Sequence, residues 1–390
     1  MAGEYPNLEF IDRRGSDSIK WDGLKETFGR DGLLASWVAD MDIASPACVR
    51  EALRSYVDFN AYGYYRMPEG LFDAFAAWQR DRHGFAVERE QVRFIPGVVP
   101  GIYWFVQALT EPGDAVAYMP PVYYPFRNAV EDTGRTCVEV PLLRAGTSYA
   151  MDAQGLERAI VERDVKLFIL CSPHNPAGRV WSVEELRSVL DVCSRHGVYV
   201  LSDEIHNDLV LSGNEHVVSA NVGDYEKILV TFLSASKTFN MAAMGLAFAV
   251  VPDEGIRTRY DAFAKGVRMN WPGSFGCVAY RAAWRHGAPW LADLLHLIED
   301  NYRILADGLA ESLPQASIAP LQGTYLAWVD LGPYVKGCDI EEAMCDVCGL
   351  AVDYGSWFGG DAYRSFVRFN LATSPENVRE TVRRLARLAR

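Results

Sequence analysis

The sequence predicts an α/β chain built on a mostly parallel, doubly wound sheet, followed by a smaller α/β domain. Three observations carry that expectation. From about residue 69 to residue 251, apolar runs of strand length alternate with amphipathic helical stretches. One of those runs, residues 166–171, is apolar almost throughout, as a strand covered on both faces must be. The runs also end repeatedly in small, polar or proline-rich segments, and ligands of such sheets bind beyond the carboxyl ends of the strands.

Residues 1–48 read as an N-terminal arm that also contributes to the small domain, 49–290 as the large domain and 291–390 as the small C-terminal domain. In the arm, a short helix ends near Gly29, and the apolar stretch 33–38 leads into Ala39-Asp40-Met41-Asp42. Pro46 opens a helix whose apolar face is Val49, Leu53, Tyr56 and Val57. The tyrosines of segment 61–65 are, by composition alone, core residues. Residues 69–83 form an amphipathic helix with Leu71, Phe72, Phe75 and Trp78 on one face. Strand 92–95 runs into Pro96-Gly97-Val98-Val99 and a helix, an arrangement that favours phosphate.

Strands are expected next at 115–118, 137–140, 166–171, 198–201, 228–233 and 246–251. Helix 182–192 carries a capping box, Ser182 with Glu185. A long helix through 294–309 joins the domains. Strands 325–329 and 366–370 then alternate with helices 339–348 and 375–388.

Composition narrows the function. At 390 residues the chain has room for two domains. A net charge of −13 without any basic run argues against nucleic acid and anionic membranes. No window approaches the ~20 apolar residues of a membrane span, and the N-terminus resembles no targeting peptide. A cytoplasmic protein is expected. The eight cysteines sit mostly in apolar runs and read as buried free thiols. Cys345 and Cys348 lack a second pair at zinc spacing, so no metal is expected.

Chemistry concentrates at residues 229–240, LVTFLSASKTFN. An apolar strand stops at small hydroxyl residues around one lysine, Lys237. Hydroxyls and backbone amides at a strand end suit a phosphate. A desolvated lysine suits a Schiff base, since losing water favours the neutral amine. Together they indicate pyridoxal 5′-phosphate, although a lone lysine is more often a surface residue. Asp203, at another strand end, fits the partner of a pyridinium nitrogen, against the plainer role of an N-cap. Asn175 fits a fixed donor or else a turn residue. Tyr123 fits a ring stacked on the cofactor or else core.

The order S-P-H-N-P (172–176), S-D-E-I-H (202–206), S-A-S-K-T (234–238) and F-V-R-F-N (366–370) resembles the fold-type I pyridoxal-phosphate enzymes of the aspartate aminotransferase superfamily. V-A-D-M-D (38–42), Y-G-Y (62–64), D-E-I-H and S-K-T-F-N resemble its cystathionine β-lyase (C–S lyase) branch. The resemblance implies Lys237 as the Schiff-base lysine, Asp203 as the pyridinium partner, Asn175 on the ring oxygen and Tyr123 on the ring. It implies a phosphate held by Gly97, Val98 and Ser234, with Tyr64 reaching it from the other subunit of a homodimer. Arg368 would grip the substrate α-carboxylate, and Asp40 would lie beside the substrate. His206 stands where aminotransferases usually place a tyrosine, which favours the lyase. The implied reaction is β-elimination from an amino-acid substrate, cystathionine or a related cysteine S-conjugate, to a thiol, pyruvate and ammonia. An aminotransferase is the second reading. A pyridoxal-phosphate-binding regulator is the third, and the chain has no spare length or basic stripe for a DNA-binding unit.

Overall fold

The computed structural model describes residues 4–268 and 273–389. The first three residues of the arm therefore lie outside the described residues.

A seven-stranded sheet occupies the middle of the chain, in the order Val92–Ile95, Ala247–Val250, Leu229–Leu233, Tyr199–Asp203, Val165–Cys171, Ala115–Tyr118 and Thr136–Glu139. The last five run parallel. Ala247–Val250 is antiparallel to both of its neighbours. All five residues of Leu229–Leu233 are buried, because helices cover both faces. Helices Val98–Leu109 and Glu254–Gly266 pack through Phe105 and Tyr260, whose rings stack 4.2 Å apart. Helices Ala153–Arg163 and Val183–His196 cover the opposite face with Leu156, Ile160, Leu186 and Val189. The capping box at Ser182 and Glu185 is present, with both reciprocal hydrogen bonds.

The 25-residue helix Ala288–Ser312 leads to a second, antiparallel sheet, ordered Ser317–Ile318, Leu326–Asp330, Phe366–Asn370 and Asp353–Tyr354. Leu34–Ala35 of the arm pairs in parallel with Leu350–Ala351. A buried ion pair, Lys20 Nζ to Asp42 Oδ2 at 2.8 Å, pins the arm from within.

Three local expectations change. Val57, assigned to a buried helix face, is exposed, whereas Val49 of helix Ala47–Asp58 is buried and Tyr56 meets Phe275 of helix Ser274–His286 edge-on. Tyr62 and Tyr64 are surface residues rather than core; Tyr62 lies against Phe275, with ring centres 5.8 Å apart, and Phe59 is exposed as well. Residues Ala343–Cys348 wind as a π-helix; Cys345 and Cys348 are buried free thiols. Among the described residues no helix is long and apolar enough to cross a membrane.

Candidate active site

The carboxyl ends of the parallel strands converge on a cavity of about 250 Å³. Gly97, Val98, Tyr123, Asn175, Asp203, His206 and Lys237 all line it, although they are spread over 140 residues of sequence. Lys237 lies in the short helix Ala235–Thr238 that follows strand Leu229–Leu233. Its Nζ donates to the carbonyl oxygen of Ala39 at 2.6 Å, and the Tyr325 hydroxyl donates to the same oxygen at 2.8 Å. Burial lowers Lys237 to about 8; the charge of Asp40 resists the shift and that of Arg368 adds to it.

Asp203 ends its strand at the cavity floor, buried, and accepts one side-chain hydrogen bond, from the Ile205 N–H at 3.1 Å. Burial raises it to about 7. Such a carboxylate is suited to a cationic N–H donor entering from the cavity. His206, edge-on to Tyr325, is held neutral by burial and by the charges of Lys237 and Arg368. Helix Val98–Leu109, also on the cavity, begins at Gly97 with no side-chain cap, and Val99 and Ser236 line the same space. Free amides at a helix N-terminus attract an anion.

Arg368, Asp40, Ser234 and Tyr64 do not line this cavity. Asn175 lines it and also accepts from Arg368 Nη1 at 2.9 Å, so Arg368 stands just behind. Asp40 follows the cavity-lining Ala39 and pairs with Arg13 of the arm, Nη1 to Oδ2 at 2.6 Å. The Ser234 hydroxyl is engaged by Leu246 O, Tyr280 Oη and the Ser236 N–H. Tyr64 is fully exposed, away from the cavity.

Sequence reasoning missed several neighbours. Asp208, buried, accepts from Trp78 Nε1 at 3.0 Å and Thr238 Oγ1 at 2.8 Å, with His83 Nε2 at 2.8 Å. It thereby fixes the residue after Lys237. The Asn240 side chain holds Met41 and Ile43 of the arm, which brings V-A-D-M-D against S-K-T-F-N. Asp353 lies directly opposite Arg368 across a strand pair. A single acid in the apolar stretch 350–354 was the signal for it. Among the described residues no cluster of metal-ligating side chains occurs. A wider cleft of about 380 Å³ lies beside the arm and contains Trp21, Asp42 and Arg384; its Asp42 is already closed by Lys20 and Trp21.

The arrangement is chemically specific. It offers an amine lowered by burial, an uncapped helix N-terminus and an unpaired carboxylate in one cavity, with a guanidinium behind.

Residues 39–385 match the family Aminotransferase class I and II. Cystathionine β-lyase PatB of Bacillus subtilis is 37% identical over 96% of this chain and 97% of its own length. Protein MalY of Escherichia coli is 33% identical, with 92% of each chain covered. Cystalysin of Treponema denticola, whose crystal structure contains pyridoxal 5′-phosphate, superimposes with a TM-score of 0.94 at 31% identity, covering 98% of each chain.

Proposed function

The chain belongs to the class I and II aminotransferase family, and on that premise we propose that it is a pyridoxal-phosphate-dependent C–S lyase. Its substrate on this reading is L-cystathionine or a related cysteine S-conjugate, cleaved to a thiol, pyruvate and ammonia. The observation that carries the reading is the cavity itself: Lys237 shares it with the uncapped amides at Val98 and the unpaired carboxylate of Asp203.

When bound, pyridoxal phosphate supplies an electron sink for the charge left at Cα once its proton is removed. The protein's part is to place and hold. The Val98 and Val99 N–H groups, with Ser236, would hold the phosphate. Asp203 holds a proton on the pyridine nitrogen; its carboxylate ionises once that cation lies beside it. Asn175 offers its amide N–H₂ to the ring oxygen while its Oδ1 receives Arg368, so one side chain registers cofactor against substrate. Tyr123, which lines the same cavity, would hold the ring. Arg368 grips the α-carboxylate and turns the Cα proton toward Lys237, whose value of about 8 suits a base near neutral pH. Neutral His206 leaves the ring oxygen without the phenol expected in an aminotransferase.

The exposure of the aromatic residues Phe59, Tyr62, Tyr64 and Phe275 supports a homodimer in which Tyr64 reaches the partner's phosphate site. Incubation of the purified protein with L-cystathionine, followed by assay of pyruvate and free thiol, tests the activity. Stoichiometric release of both is expected. Amino-group transfer to a keto acid with little pyruvate would make the protein an aminotransferase instead.

A further inference from the structure

Arg368 is already occupied. Its Nη2 donates to Asp353 Oδ2 and, at 3.3 Å, to Trp37 O, while Nη1 donates to Asn175 Oδ1. Its Cζ lies 5.0 Å from the centre of the Phe358 ring. Both members of the ion pair are 2% exposed, and they are register partners in the strand pair Asp353–Tyr354 with Phe366–Asn370. Arg368 Nε is buried without a partner. The guanidinium thus has an open donor, but its charge is already neutralised.

A substrate carboxylate arriving here puts a second anion on one guanidinium. In a water-poor site two carboxylates sharing one cation cannot both stay ionised. Arginine cannot adjust, since it does not deprotonate in proteins. The backbone register holds Asp353 in place, away from water. The other titratable groups facing it are the phenols of Tyr123 and Tyr124, from the turn after strand Ala115–Tyr118. Burial pushes both phenols up, so they stay neutral. Arg368 is the one cation that bears on Asp353 among the described residues, and it opposes the upward push of burial.

We propose that Asp353 is an internal competitor for the substrate carboxylate, holding Arg368 in the free protein and taking up one proton as a monocarboxylate binds. This rests on Arg368 as the carboxylate anchor of the lyase proposed above. The proton comes from solvent and bonds to an Asp353 carboxylate oxygen. The ligand stays ionised, so the charge around Arg368 does not change on binding. Affinity for carboxylates therefore falls as pH rises, by up to about tenfold per unit.

The test uses the holoenzyme and 3-(methylthio)propanoate, which has the carboxylate but no amine to react with the cofactor. Calorimetric titration near neutral pH, in two buffers of different ionisation enthalpy, counts protons taken up per site. The visible band of the cofactor, recorded in parallel, reports any proton that goes to Lys237 instead. The expected result is close to one proton for the wild type beyond what the band accounts for. Asp353→Asn, with normal cofactor absorbance, should take up none and bind at least about tenfold more tightly, with little pH dependence. No uptake by the wild type, or uptake fully explained by the band, overturns the inference whether or not the variant folds. Weaker binding by a well-folded Asp353→Asn does the same, because Asp353 would then only support Arg368. A preparation with neither cofactor band nor lyase activity refutes the lyase reading itself.

Discussion

Lys237 Nζ donates a hydrogen bond of 2.6 Å to the carbonyl oxygen of Ala39, joining residues 198 apart in the chain. The bond ties the N-terminal arm to the strand end that carries the amine. The arm is therefore part of the site. In the proposed reading the contact holds the amine until cofactor displaces it.

Lys237→Ala is expected to abolish both the visible absorption of bound cofactor and pyruvate formation. The side chain lines the cavity rather than the packed core, and burial disfavours its charge, so the melting temperature of the cofactor-free protein should not fall much. Normal turnover by the variant would exclude Lys237 as the base.

The lowered value of Lys237, about 8, has a measurable consequence. A lysine held below its ordinary range releases its proton at lower pH, so the neutral amine becomes dominant above about 8. Cofactor-free protein should recapture added pyridoxal phosphate at a rate that climbs about tenfold per pH unit below that point and then levels off. Stopped-flow absorbance measures this. A rate still climbing two units higher would show an unperturbed lysine.

Asp203→Asn is expected to retain cofactor and lose activity by on the order of a hundredfold or more, the scale of removing one preorganised charge partner. An amide cannot keep the pyridine nitrogen protonated. Near-wild-type turnover would mean that Asp203 serves only the local backbone, through Ile205.

Tyr64→Phe tests the shared site. A lost hydrogen bond to a charged phosphate should weaken cofactor binding roughly tenfold, while the fold and the band at saturating cofactor stay normal. Light scattering of the wild type should give a dimer. A fully active monomer would remove Tyr64 from the site.

Much of this was legible in the sequence. Strand and helix alternation placed most elements to within a few residues, since a strand buried on both faces can be built only from a continuous apolar run. The strand-end residues Gly97, Tyr123, Asn175, Asp203 and Lys237 were legible because the sheet brings those ends together. The direction of Ala247–Val250 was not, because an apolar run reads the same both ways. Asp353 escaped notice because its strand is two residues long and its meaning lies in the register with Arg368. Asp208 reads as an ordinary polar residue until Trp78 and His83 of one helix and Thr238 of another segment arrive beside it.

The lone carboxylate of Asp203 reaches beyond catalysis. Its value of about 7 lies above the ordinary 3.8, so its ionisation opposes folding of the cofactor-free chain. The contribution of Asp203 to that chain's stability falls as pH rises from about 4 to about 7, by a few kcal/mol at most. Cofactor brings the missing cation and adds its own binding energy to the native state. A cell short of vitamin B6 would then hold this protein in its more fragile form, open to proteolysis. Its abundance, and not only its activity, would follow the nutrient.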